Sequence, residues 1–172
     1  MSYYSEAEKL YEQEMYEEAY ELYKKGAEKG EVKCYFGIAI TCHIVGVEFN
    51  GKTCDDIFDE YIPQISTLAR AGDLEASQIM YYYYSEGLCG YRSNKKIFEW
   101  LKICADQGWT WAQSNVASLY LYGGCIEGCT YKTNNGSCYS TECIHYQKPN
   151  LQEAFKYFSL AAEDGDSYSQ FF

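Results

Sequence analysis

Ile97–Ala112 reads IFEWLKICADQGWTWA, and four of its positions form a ruler. Leu101 is a bulky apolar side chain seven residues before a glycine, Ala105 stands three before it, Gly108 closes the phrase, and the small Ala112 comes four later. The same ruler recurs at Tyr23, Ala27, Gly30 and Cys34, at Ile65, Ala69, Gly72 and Ala76, and at Phe158, Ala162, Gly165 and Ser169. Four positions kept in step across unequal intervals are not an accident of composition. Self-similarity with a period of about 35–45 residues predicts stacked helix pairs, each pair one unit that cannot hide its apolar face alone. The glycine is the expected left-handed end of each second helix.

Working outward, the ruler divides the chain into one repeat domain over 1–172. Its repeats cover roughly 3–30, 31–72, 73–108 and 109–165, with a partial fifth over 166–172 and a cysteine-rich insertion over 124–149. In the first repeat Ala7, Leu10 and Tyr11 share one face at spacings of three and four. Near Glu14–Tyr16 a turn leads to the second helix. Thr53 is the expected N-cap of a helix with Asp55 and Asp56 in its first turn. Pro63 lies inside that helix and should kink it or start a new segment, since proline removes a donor and clashes one turn back. Ser93 or Asn94 caps the helix containing the quoted stretch. Successive side chains of the run Tyr81–Tyr84 point about 100° apart; Tyr81 and Tyr84 are expected in the core, Tyr82 and Tyr83 outside it. SYSQFF at the end reads as the opening of a fifth repeat: either the repeat array is cut short there, or the apolar end packs against something such as a second copy of the chain.

The chain has 172 residues, 47% of them apolar, enough for a continuous core. Its net charge of −11 argues against nucleic acid and anionic membranes as partners and is compatible with a basic protein partner. The start, MSYYSEAEKLYEQ, is polar and helical in pattern, unlike a secretory leader. No apolar stretch reaches the roughly 20 residues that span a bilayer. These features, with five cysteines scattered through the repeats as small apolar residues, lead to the expectation of a cytoplasmic protein.

AQSNVASLYLYG at Ala112–Gly123 followed by EAFKYFSLAAEDGD at Glu153–Asp166 resembles the Sel-one-like repeat family, the variable-length relative of the tetratricopeptide repeat. ASQIMYYYYSEG at Ala76–Gly87 with IFEWLKICADQG at Ile97–Gly108 is a second match. The resemblance covers nearly the whole chain except the insertion. It implies an all-α, right-handed superhelical solenoid of antiparallel helix pairs, and a role as adaptor, scaffold or regulator that binds other proteins. By likeness to a tetratricopeptide groove, a peptide or partner segment would meet Phe36, Ile40 and His43 in the second repeat, Gln78, Tyr82 and Ser85 in the third, and Trp111, Ser114, Ser118 and Tyr122 in the fourth. Secreted, cysteine-rich members of the family carry one cysteine pair per repeat; here the mates of Cys34 and Cys104 are missing, so that subgroup does not fit.

Chemistry has little support. The insertion holds Cys125, Cys129, Cys138 and Cys143, with His145 nearby. Four thiolates could hold a structural zinc tetrahedrally, disulfides could do the same stapling, or the thiols could be free; the spacing leaves all three open. A metal-stapled binding protein that recognises through the insertion is therefore an alternative reading, and a small immunity or inhibitor protein another. Ser93 and Lys96 make a serine–x–x–lysine string without its companion motifs. No phosphate loop or dinucleotide fingerprint is present. The expectation is a binding module, not an enzyme.

Overall fold

Each glycine of the ruler ends a helix, and all four do so in the same way. Gly30, Gly72, Gly108 and Gly165 come just after α2 (Tyr16–Glu28), α4 (Cys54–Arg70), α6 (Asn94–Asp106) and α8 (Leu151–Glu163), with φ of +86°, +104°, +94° and +92°. The glycine N–H donates to the carbonyl of the ruler's alanine at 3.0–3.1 Å. The next N–H reaches the carbonyl five residues back: Glu31 to Gly26, Asp73 to Leu68, Trp109 to Cys104 and Asp166 to Ala161, at 2.9–3.2 Å. This paired closure satisfies carbonyls that a helix end otherwise leaves open, and it needs a left-handed residue that glycine supplies without a Cβ penalty. The ruler's alanine is thus an acceptor placed by the helix, and the small residue four after the glycine enters the next helix fully buried, as Cys34, Ala76 and Ala112 show.

The computed structural model describes residues 2–90, 92–125, 146–166 and 169–171, and among them lie eight α-helices. Besides α2, α4, α6 and α8 these are α1 (Tyr3–Glu12), α3 (Lys33–Val45), α5 (Leu74–Ser85) and α7 (Thr110–Tyr122). Adjacent helices pack in pairs, so the all-α paired-helix expectation holds. The chain divides into two compact units, 1–80 and 81–172.

In the first unit, α1 and α2 form a hairpin, and α3 packs on α2 and α4. Ser2 caps α1, accepting from Ser5 N–H at 3.1 Å, while the Glu31 carboxylate accepts from Tyr3 N–H and Tyr4 N–H at 3.1 Å each. A negative group at the positive end of a helix is favourable. Ala7, Ala19, Tyr23, Cys34, Ile38, Ile57 and Ile65 form the interior. Lys33 bridges Asp73 at 3.0 Å and Glu75 at 2.6 Å, and its ammonium lies over the Tyr4 ring. Asn50 and Gly51, both at positive φ, make a two-residue turn closed by paired bonds between Phe49 and Lys52, as an Asn-Gly dipeptide favours. Thr53 caps α4 as expected, in a reciprocal box with Asp56. Pro63 starts no new segment: α4 runs through it for 17 residues, and Thr67 Oγ donates to the Pro63 carbonyl at 3.0 Å.

In the second unit, α7 packs on α6 and α8 around Trp100, Leu101, Val116, Tyr157 and Phe158. Tyr120 stacks on Tyr157, whose hydroxyl donates to Asp106 Oδ1 at 2.6 Å. Asn150 N–H donates to the Tyr120 carbonyl at 2.7 Å, and its side chain caps α8, so one residue both returns the chain to α7 and starts the last helix. A two-residue strand β1 (Gly124–Cys125) pairs antiparallel with β2 (Tyr146–Gln147) at the two ends of the insertion. Asp166 accepts from Ser114 Oγ at 2.9 Å and Ser169 N–H at 2.8 Å, opening a single 3-10 turn over Ser169–Phe171.

The tyrosine run corrects one expectation. Tyr83 is buried, at 4% exposure, and Tyr84 is only half-buried. Ala76, Ile79, Met80 and Tyr83 make the buried stripe of α5, spaced 0, 3, 4 and 7.

Candidate partner-binding surface

Tyr83 turning inward places Tyr82, one residue earlier, about 100° around the helix and outward. Tyr82 is 44% exposed. Beside it, Trp109 is fixed by the helix closure at Gly108, its N–H bound to the Cys104 carbonyl. Trp111 lies in the first turn of α7 next to the fully buried Ala112, and it is 48% exposed. Asn115 Nδ2 donates to the Trp111 carbonyl at 2.7 Å, tightening that turn.

These placements gather four rings. Tyr81 is the hub, with centroids 5.4 Å from Tyr82, 5.9 Å from Trp109 and 5.6 Å from Trp111, each met edge-on. Tyr82 meets Trp109 edge-on at 6.1 Å, and the two indoles tilt against each other at 4.8 Å. Edge-to-face contact is the arrangement that aromatic quadrupoles favour, worth about 0.5–1.5 kcal/mol per pair beyond area. Burial raises the Tyr81 phenol above its ordinary range, and the Tyr82 and Glu86 charges push the same way. Glu86 is exposed and lies one turn after Tyr82, its N–H bound to the Tyr82 carbonyl at 3.0 Å.

The remaining groove candidates fall differently. Ser85 is half-buried and its hydroxyl donates to the Tyr82 carbonyl at 3.3 Å. Ser114 spends its hydroxyl on Asp166 and Ser169, and Ser118 donates to the Ser114 carbonyl at 2.9 Å. Gln78 is half-buried on α5, and Tyr122 is exposed at the end of α7. In the first unit Phe36 is buried, its ring 5.6 Å from Phe58, so it presents no surface. Ile40 is half-buried, while His43 is exposed with Nδ1 3.8 Å from Cys54 Sγ. Tyr35, stacked on Tyr61 at 3.6 Å with Phe49 beside it, makes a second half-buried aromatic group that the sequence reading missed. Its signal was present: Tyr35 is five residues after Gly30, where the later repeats carry Ser77 and Gln113.

Cys34, Cys42, Cys54 and Cys104 are free thiols. Burial pushes Cys34 and Cys104 up to about 12, so both are neutral thiols packed as small apolar groups. Ser93 caps α6, accepting from Lys96 N–H at 3.3 Å, and Lys96 Nζ pairs with Glu99 at 3.0 Å; the serine–x–x–lysine string is a helix start. Among the described residues no three His, Cys, Asp or Glu gather as a metal site. Cys129, Cys138, Cys143 and His145 lie outside the described residues, as does the side chain of Cys125. No described helix is long and apolar enough to cross a membrane.

No family model matches the chain, and no curated protein matches it. Among solved structures it is similar to the crystal structure of a Sel1 repeat protein from Oxalobacter formigenes, with a TM-score of 0.51 and 21% identity over 90% of this chain. The chain spans about half of that protein, 52% of its length. The fold is therefore that of Sel1 repeats.

Proposed function

We propose that the chain is a protein-interaction module, an adaptor or scaffold, whose contact surface is the cluster of Tyr81, Tyr82, Trp109 and Trp111. The observation that carries this reading is two half-exposed rings, Tyr82 and Trp111, held in fixed positions by edge-on contacts with their neighbours. Large aromatic side chains lose little conformational entropy on binding and offer much contact area, which is why they dominate binding hot spots. Tyr82 and Trp111 are also two of the residues assigned to a groove on the sequence. The partner is a peptide or an exposed segment of another protein, and the setting is the cytoplasm, in keeping with the buried neutral thiols of Cys34 and Cys104. Repeat proteins of stacked helix pairs offer extended binding surfaces and few catalytic groups, which supports binding over catalysis.

Selection of peptides from a random twelve-residue library against the intact chain tests this. Enriched peptides are expected to lose at least about tenfold in affinity, some 1.4 kcal/mol, on the Tyr82→Ala, Trp111→Ala double variant. His43→Ala should leave them unchanged. Peptides that bind the double variant as well as the wild type would move the contact surface elsewhere.

A further inference from the structure

We infer that the side chain this cluster takes from its partner is an arginine guanidinium, an inference that rests on the proposed interaction role. Three features favour a planar cation over an apolar or proline-rich segment. The first is a pair of half-exposed rings: Tyr82 and Trp111 are 44% and 48% open to solvent, and each packs on Tyr81 and Trp109. A guanidinium that covers the face of such a ring is attracted by its quadrupole.

The second is the carboxylate beside them. Glu86 stands four residues after Tyr82, bound through the helical Glu86 N–H to Tyr82 carbonyl bond, so the two share one side of the last turn. An apolar occupant covering Tyr82 would strip water from Glu86 and give it no partner, a costly outcome. A guanidinium instead stacks on the ring and donates to the carboxylate at once, which its flat, forked shape allows and a lysine ammonium does not. The third is the net charge of −11, which draws cationic segments toward the chain at long range.

The test uses the intact, ¹⁵N-labelled chain and capped Gly-Ser heptapeptides carrying a central arginine, citrulline, lysine or leucine. The indole N–H signals of Trp109 and Trp111 are monitored in titration, with the buried Trp100 as the internal reference. The arginine peptide should move the two outer indoles and bind about 2- to 30-fold more tightly than its neutral citrulline isostere. Glu86→Gln, an exposed and fold-neutral change, should shrink that ratio. Equal or tighter binding of the citrulline, lysine or leucine peptide overturns the inference, as does a ratio untouched by Glu86→Gln or an arginine peptide that leaves both indoles still. Library peptides that need Tyr82 and Trp111 but lack arginine would sink this inference and leave the interaction reading standing. Peptides indifferent to the cluster would remove both.

Discussion

Gly37 lies on α3 where it crosses the ring of Tyr23, and a Cβ there would fall 2.5 Å from the ring's Cδ1. Tyr23 is fully buried and its hydroxyl donates to Glu8, so the ring has nowhere to move. Gly37→Ala is therefore expected to lower stability by about 1–3 kcal/mol, read as a drop in the chemical-denaturation midpoint, despite alanine's better helix propensity. Glu8 itself makes a pH prediction. Burial raises its carboxyl above the ordinary glutamate value, and the hydroxyls of Tyr23 and Tyr4 hold it only partly back. A carboxyl raised in the folded state binds its proton more tightly there than in the unfolded chain. Its contribution is fully present below the unfolded value and is lost as pH rises through the folded one. Wild-type stability relative to Glu8→Gln should thus fall as pH rises above the ordinary glutamate value of about 4; a difference in melting temperature that stays flat as the pH is raised from there would contradict the burial. Neither feature is legible in the sequence, because a glycine inside a helix and a glutamate on a charged one read as ordinary until a third side chain, Tyr23, is placed between them.

At the scale of the element, the ruler is readable because it encodes a hydrogen-bonded object. The alanine, the glycine and the residue after it build one helix closure, and the small residue opens the next helix. The position just after that small residue locks successive helices, a role its varied chemistry conceals in the sequence. Ser77 Oγ donates to the Ala69 carbonyl at 3.3 Å, and Gln113 Nε2 to the Ala105 carbonyl at 3.4 Å, the same carbonyl in two repeats. Ser77→Ala should cost about 0.5–1.5 kcal/mol in equilibrium unfolding, with no change in helix content. Phe98→Ala, by contrast, removes packing against Tyr120 and carries no such bond. The tyrosine run misleads for a geometric reason. Positions seven and eight after the small residue flank the same stripe, and tyrosine is at home on either side of its edge. In α7 the eighth position, Tyr120, goes inside; in α5 the seventh, Tyr83, does. The groove residues came from a likeness to another fold's concave face, and hydroxyls such as Ser114 and Ser118 are already committed to closing turns.

Across the whole molecule, charge and aromatic character are unevenly distributed. Residues 1–80 hold 16 of the 25 acidic side chains and only 7 of the 14 basic ones, so most of the net negative charge sits there. Residues 81–172 hold all three tryptophans. Trp100 is sealed at 1% exposure, while Trp111 is half open and Trp109 stands at its shoulder. That placement creates two optical populations. Indole emission from the outer pair should move to the blue when an occupant covers them, with the sealed indole contributing a constant short-wavelength background until heat or denaturant opens it. Docking and melting would then shift the same spectrum in opposite directions, and a single unlabelled sample could report both.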